Sequence, residues 1–178
     1  NPLPIAIGSL KDPDALGLIN HFIDTTKAKI VLNTTGFASN SPSLSGSEFS
    51  AATEQGPSEF ISPFNAGVPV IQMMLSSTLR EDWAESTQGL NSRDLAMQVV
   101  LPEMDGRIIS RAISFKTEDQ FNERCQTMVV RYALHKERAN TVVELAKRIC
   151  NLSSKPNKNK RIALVLANYP TKDGRIGN

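Results

Sequence analysis

The sequence predicts an α/β protein with a mostly parallel β-sheet flanked by helices. Two observations carry this prediction. The chain begins with a strand–helix–strand pattern, which is the repeating unit of parallel sheets. The predicted elements then continue as loop, strand, two helices, strand, helix and strand, so strands and helices alternate along most of the chain.

The first three elements follow from short patterns. Residues 4–8 form an apolar run and are predicted to be a strand. Asp12 is a favourable N-cap and Pro13 suits the first helical position, so a helix is predicted over 13–25, where apolar residues recur at helical spacing. A short buried strand is predicted at 29–33.

A long Ser/Gly-rich loop over 34–67 comes next, and its length marks it as functional or mobile. One helical turn at 57–62 is possible within it. The third predicted strand is 68–75. Thr78–Glu81 has the pattern of a capping box and predicts a helix over 79–88.

A further helix is predicted to begin at Asn91 or Ser92 and to stop before Pro102. The remaining predicted elements are strands at 107–115, 127–132 and 162–167, helix or loop at 117–126, and an amphipathic helix at 135–151.

Composition sets limits on function. The chain has 178 residues, a net charge of +2 and 40% hydrophobic residues, which is ordinary for a globular protein and gives no indication of nucleic-acid binding. A basic cluster over 155–161 lacks interleaved aromatic residues and is interpreted as a solvated loop. The two cysteines are far apart, which fits free thiols in a reducing compartment. No apolar run approaches the roughly 20 residues of a membrane span.

Most catalytic motifs are missing from the sequence. It contains neither nucleotide-binding glycine motif and no G-x-S-x-G. His21 and His135 have no second ligand at metal-binding spacing, so no metal site is predicted. The turn Asn33–Gly36 could present N–H groups to an anion or could simply end a strand. We expect Trp83 to pack in the core rather than stack on a ligand.

The most informative stretch is 97–107, in which Pro102 interrupts an apolar run just before three charged residues. Glu103 and Asp105 could be a carboxylate pair that handles protons or a metal ion. Alternatively, Glu103 caps a helix or pairs with Arg107, while Asp105 belongs to a turn. In parallel sheets, ligands bind beyond the carboxyl ends of the strands. We place four loops there: 33–41, 76–81, 101–107 and 167–178.

Several blocks of the sequence together resemble the CobN-type large subunits of cobaltochelatase and, more distantly, the H subunits of magnesium chelatase. The blocks are Val-Pro-Val-Ile-Gln (68–72), Trp-Ala-Glu-Ser-Thr-Gln-Gly-Leu (83–90), Arg-Asp-Leu-Ala-Met-Gln-Val-Val-Leu-Pro-Glu-Met-Asp-Gly-Arg-Ile (93–108) and Leu-Ala-Asn-Tyr-Pro-Thr-Lys-Asp-Gly-Arg-Ile-Gly-Asn (166–178). Asn-Thr-Thr-Gly-Phe-Ala (33–38) also fits. Asp-Gly-Arg-Ile and Gly-Arg-Ile-Gly-Asn favour the cobalt branch.

The resemblance implies a Rossmann-like or class II chelatase-like fold in an internal fragment of a much longer cytoplasmic enzyme. Such a subunit binds a tetrapyrrole, and a divalent metal, cobalt or magnesium, is inserted into it as a substrate in cobalamin or chlorophyll biosynthesis. ATP is used by partner AAA+ subunits and is not expected to bind this fragment. We expect an α/β domain over 1–153, a linker over 154–161 and the start of the following part at 162–178.

The resemblance and the predicted strand ends together suggest site residues. The candidate catalytic residues are Glu103 and Asp105, and the candidate substrate-binding residues are Asn33, Arg107, Asn168 and Lys172. The isolated fragment is expected to be inactive. The alternative function is a non-catalytic scaffold that docks the AAA+ ATPase partners.

Overall fold

A computed structural model describes residues 2–39, 64 and 67–165 of the chain. Its helices are α1 (Pro13–Thr26), α2 (Arg80–Glu85), α3 (Ser92–Leu95), α4 (Leu101–Met104) and α5 (Lys136–Ser154). A π-helical turn, Ala96–Val100, joins α3 to α4, and a 3₁₀ turn follows α5 at Asn157–Asn159. The strands are β1 (Val31–Asn33), β2 (Val70–Leu79), β3 (Ile108–Asn122) and β4 (Thr127–Leu134).

The described strands form one sheet in the order β1-β2-β3-β4. The first three strands are parallel, and β4 runs antiparallel to β3. The predicted fold class, a mostly parallel sheet flanked by helices, is therefore confirmed. The hairpin of β3 and β4 replaces the helix or loop that was predicted at 117–126. The prediction was wrong for 117–122, which belong to β3, because it treated polar residues as non-strand, although an exposed hairpin tolerates polar side chains on both faces; 123–126 form the turn of the hairpin.

The two faces of the sheet are covered by different helices. On one face, Ile71 and Ile113 pack with Val142 and Ala146 of α5. Met74 and Phe115 belong to a second cluster, which half-buried residues of α2 and the π-helical turn complete. A third cluster joins α1 to the start of β2. The predicted helices at 13–25 and 135–151 are confirmed, and their apolar residues provide these contacts.

Trp83 packs against the core, as predicted. Its ring centroid lies 4.6 Å from that of Phe115. The guanidinium carbon of Arg138, a residue of α5, lies 4.7 Å from the indole centroid. The tryptophan therefore connects α2, β3 and α5.

Several predicted boundaries were wrong. Residues 4–8 form no strand, and the described sheet begins with β1. The proposed capping box is not formed: β2 continues to Leu79, and the hydroxyl of Thr78 accepts a hydrogen bond from Asn91 instead. Over the described residues 162–165 no strand is present either, and the possible turn at 57–62 lies outside the described residues.

The helix after residue 91 begins as predicted, with the side chain of Asn91 accepting the N–H of Asp94 at 2.8 Å. It does not stop before Pro102. Instead, the N–H of Leu101 reaches back five residues to the carbonyl of Ala96, which widens the helix just before the proline. Because this π-helical turn leaves room for the proline ring, the helix continues to Met104.

Candidate functional site

Four polar side chains from three parts of the chain meet at one end of the sheet. They are Asn33, Gln72, Asp105 and Arg107, here called the Arg107 cluster, and all four residues are buried. The strand register brings them together, because Asn33 lies beside Gln72, and Gln72 lies beside Ile109, two residues after Arg107.

The position of this cluster corrects one prediction. The loop 101–107 precedes β3, so it lies at the amino end of that strand rather than beyond its carboxyl end. Asn33, in contrast, does end β1 as predicted. The two regions meet because β1 is only three residues long and aligns with the beginning of β2.

An ion pair lies at the centre of the cluster. Nη2 of Arg107 is 2.6 Å from Oδ2 of Asp105, and both side chains are fully shielded from solvent. The preceding turn positions them: the N–H of Gly106 donates to the carbonyl of Glu103, and that of Arg107 to the carbonyl of Pro102. This is a Schellman motif, and Gly106 provides the positive φ of 70° that it requires.

The two terminal nitrogens of Arg107 also fix the backbone that follows β1, while its buried Nε has no hydrogen-bond partner among the described residues. Nη1 donates to the carbonyl of Thr35 at 3.0 Å, and Nη2 donates to the carbonyl of Phe37, also at 3.0 Å. Oδ2 of Asp105 accepts both the N–H and the hydroxyl of Ser39, at 2.8 and 2.9 Å. The ion pair therefore holds the segment 35–39 through backbone atoms at both of its ends.

Gln72 is a central member that the sequence analysis did not select. Its Oε1 accepts from Nδ2 of Asn33 at 2.7 Å and from Nη1 of Arg107 at 3.0 Å, and its Nε2 donates to the carbonyl of Thr35 at 3.0 Å. The signal was available, because a glutamine inside an apolar buried strand must find partners for both ends of its amide.

Phe37 is the most unusual residue of the segment 35–39. Its φ of 63° lies in the left-handed region, which is strained for an aromatic residue, and 55% of its surface is exposed. Its N–H donates to the carbonyl of Met97 at 2.8 Å, while its own carbonyl accepts from Arg107. Both polar backbone groups of Phe37 are thus held, and its ring faces outward.

The sequence around residues 97–102 explains why Met97 can accept this bond. Leu101 donates to Ala96, and Pro102 has no N–H, so neither residue occupies the carbonyl of Met97. Gly36 allows the close approach, since a Cβ there would lie 3.2 Å from that same carbonyl oxygen.

A second buried polar group lies at the carboxyl end of β2. Oδ2 of Asp94 accepts the hydroxyl of Ser76 at 2.9 Å and the N–H of Ser77 at 2.6 Å. Asn91 completes the group by donating to Oδ2 at 3.2 Å. Because these groups satisfy one another, they fix the start of α3 against the sheet.

The structure separates the predicted carboxylate pair. Asp105 is buried in the ion pair, whereas Glu103 is exposed and contributes only its carbonyl to the turn. Asn168 and Lys172 lie outside the described residues. Within the described part of the chain, no group of three or more His, Cys, Asp or Glu side chains could hold a metal ion.

Comparison with known proteins decides the family. The profile of the CobN/Magnesium Chelatase family matches residues 1–178. The chain belongs to the CobN/Magnesium Chelatase family. The resemblance seen in the sequence is therefore confirmed.

Individual relatives of this family place the chain more finely. Its whole length aligns with the aerobic cobaltochelatase subunit CobN of Pseudomonas aeruginosa at 46% identity, and the aligned part is 13% of that subunit. It also aligns, over 98% of its length and at 28% identity, with the chloroplastic magnesium-chelatase subunit ChlH of Oryza sativa, and the aligned part is 12% of that subunit. The chain thus spans about an eighth of the length of these CobN and ChlH relatives, and it is more similar to the cobalt branch.

A solved structure of the family agrees with this placement. The chain matches the catalytic subunit of cobaltochelatase from Mycobacterium tuberculosis with a TM-score of 0.63 and 26% sequence identity, over 96% of this chain and 13% of that one. In the described residues, no helix is long and apolar enough to cross a membrane.

Proposed function

We propose that this chain is a segment of the large, tetrapyrrole-binding subunit of an ATP-dependent metal chelatase of the cytoplasm. The complete enzyme would insert a divalent metal, as substrate, into the tetrapyrrole ring, and partner AAA+ subunits would hydrolyse ATP. The greater identity to CobN than to ChlH supports cobalt and cobalamin biosynthesis over magnesium and chlorophyll.

The exposed ring of Phe37 is the observation that carries this proposal within the chain. A flat conjugated macrocycle presents a large π-face, and an aromatic side chain held in place can stack on it. A left-handed φ costs on the order of 1–3 kcal/mol, and such strain is concentrated at functional sites. The bonds from Phe37 to Met97 and Arg107 supply the support that keeps the ring in this orientation.

The other candidate residues then take distinct roles. Arg107 and Asp105 are positioning residues, since their charges are shielded from solvent and bind the segment 35–39. Asn33 supports the same segment through the carbonyl of Thr35. Glu103 is the carboxylate of the pair that solvent and a substrate can reach, so proton transfer is assigned to it.

Asn168 and Lys172 are assigned to the tetrapyrrole periphery. Tetrapyrroles of this pathway carry carboxylate side chains, and an amide and an ammonium group are suitable donors to them. Replacing Lys172 by Met in the full-length subunit should weaken tetrapyrrole binding but leave the stability of the subunit unchanged.

The stacking role can be tested by titrating the full-length subunit with its tetrapyrrole and following absorbance. Phe37→Ala should weaken binding by about tenfold, while Phe37→Tyr should retain it. Phe121→Ala is the matched control, because that ring is 52% exposed but lies on the β3–β4 hairpin. Equal affinity of wild type and Phe37→Ala would remove Phe37 from the site.

A non-catalytic scaffold is the second candidate function, and the complete burial of the Arg107–Asp105 pair favours it. In that case Glu103→Gln and Phe37→Ala would change neither tetrapyrrole affinity nor metal insertion, and the variants would instead lose binding to the ATPase partner. Under either function the 178-residue chain alone should insert no metal, and measured insertion by the purified chain would contradict this.

A further inference from the structure

A groove on the side opposite the Arg107 cluster has no role in the function proposed above. It lies between the first residues of β3 and the flank of α5 and contains a cavity of about 290 Å³. Val142 and Leu145 provide its apolar lining, and its charged groups are the cations of Arg111 and Arg148 and the carboxylate of Glu144. The hydroxyls of Ser110 and Thr141 both donate to backbone carbonyls, so the two arginines are its available donors.

The strand pairing explains why the groove exists. β4 pairs with β3 only from Ser114 onward, whereas β2 pairs with β3 from Ile108. In the described part of the sheet, the first residues of β3 therefore have a strand on one side only. Farther along, the carbonyls of Ala112 and Ile113 accept from Arg138 and His135, so the uncovered edge is limited to 108–111.

Among the residues that the structure describes, the groove carries a net positive charge. Arg111 and Arg148 form no ion pair with any described residue. Glu144, which also lines the groove, pairs with Lys147 at 2.7 Å, and its pKa is lowered by the hydrogen bond from Lys147 and, to a smaller extent, by the charge of Arg148. The pKa of Arg138 is lowered by burial and by the nearby charge of Arg111. Residues 136–161 contain eight Lys or Arg and two Glu, a net charge of +6, whereas the whole chain carries +2.

The flank of α5 also exposes apolar side chains at helical spacing. Leu145 is 37% exposed and Leu152 is 54% exposed, and the seven residues between them correspond to two helical turns. Thr141 and Arg148 lie on the same stripe. Such a seam, with leucines two turns apart and a cation between them, suits a second helix lying alongside α5.

We propose that this groove binds an acidic amphipathic helix of a partner protein. Leucine-like side chains of the partner would pack between Leu145 and Leu152, and its Asp or Glu side chains would pair with Arg111 and Arg148. A lipid surface fits less well, because a flat bilayer cannot fill a recessed cavity. A small anion would leave the exposed leucines uncovered, since they extend beyond the cavity along α5.

The test uses the full-length subunit and a fluorescein-labelled helical peptide of about 18 residues, with leucines seven apart, glutamates at the flanking positions and alanines elsewhere. Fluorescence anisotropy gives its Kd. The peptide should bind, and a peptide with glutamine at every glutamate should bind at least about tenfold more weakly.

Variants of the subunit locate the binding. Arg111→Glu and Arg148→Glu should each weaken peptide binding about 3- to 5-fold or more. Arg124→Glu in the β3–β4 turn removes the same charge from an exposed arginine and should leave the Kd unchanged. Thermal unfolding of each variant, followed by circular dichroism, verifies that the fold is retained.

Three results would overturn the proposal. The first is no peptide binding to the full-length subunit, as expected if another part of the same polypeptide fills the groove. The second is binding that responds equally to Arg148→Glu and to Arg124→Glu. The third is tighter binding of the subunit to vesicles of anionic phosphatidylglycerol than to the peptide, if the substitution Arg148→Glu abolishes this vesicle binding. Because the tetrapyrrole titration does not involve this groove, each proposal can fail without the other.

Discussion

Replacing Arg107 by methionine is the sharpest test of how the candidate site is built. The substitution keeps an unbranched side chain of similar length but removes the guanidinium. The shielded carboxylate of Asp105 would lose its bond to the guanidinium, and the carbonyl of Phe37 would lose its bond to Nη2. Breaking a buried ion pair by removing one partner costs about 3–5 kcal/mol. That is a large part of the roughly 5–15 kcal/mol by which domains are stable.

Urea denaturation of the 178-residue chain measures this loss. Trp83 is the only tryptophan and packs on Phe115, so its fluorescence reports on the core. Arg131→Met is the matched control, because its ion pair with Asp119 at 2.8 Å has side chains that are 64% and 40% exposed. An exposed pair of this kind contributes at most about 1 kcal/mol.

The double variant separates the ion pair from the rest of the cluster. Asp105→Asn alone should also destabilise the chain, because it leaves the guanidinium of Arg107 buried without its counter-ion. The double variant Asp105→Asn/Arg107→Met should lose less free energy of unfolding than the two single variants together, and the difference should be about 1–3 kcal/mol. A loss below about 1 kcal/mol for Arg107→Met, or exact additivity, would refute this account of the cluster.

Three further predictions use the same urea assay. Gly36→Ala should lower stability by about 1 kcal/mol, because the new Cβ would lie 3.2 Å from the backbone oxygen of Met97; a gain in stability would show that this helix can move aside. Gln72→Leu should cost about 1–3 kcal/mol through unpaired polar neighbours, and a neutral result would contradict its central position. Arg138→Met should lower stability by about 1–2 kcal/mol, because it removes the contact with Trp83 and the hydrogen bond to the carbonyl of Ala112. The same substitution at an exposed arginine should cause no such loss.

The parts of the fold that periodicity controls were predictable from the sequence. The helices α1 and α5 and the buried strand β2 have strong apolar patterns, and the structure has all three. Ends of elements were less predictable, because they depend on partners that are distant in sequence. Thr78 illustrates this: locally it suggests a helix cap, but Asn91 uses its hydroxyl, and the strand extends past it.

The Arg107 cluster was predictable from the sequence only in part, because Gln72 was not selected and the geometry was not foreseen. Asn33, Asp105 and Arg107 were selected from the sequence. In the structure Gln72 joins Asn33 to Arg107, and Arg107 pairs directly with Asp105. The pairing of Asp105 rather than Glu103 with Arg107 could not be inferred, because it depends on the turn at Gly106. That turn directs Asp105 and Arg107 inward and leaves Glu103 on the surface.

Both ends of the stretch 97–107 therefore hold the backbone of the same residue, Phe37. Pro102 keeps the carbonyl of Met97 available, and that carbonyl binds the N–H of Phe37. Five residues later, Arg107 binds the carbonyl of the same Phe37. The two backbone groups of one strained residue are thus fixed by the two ends of one short sequence. The stacking role proposed for Phe37 accounts for this convergence, because a ring that stacks on a planar ligand must be held rigidly.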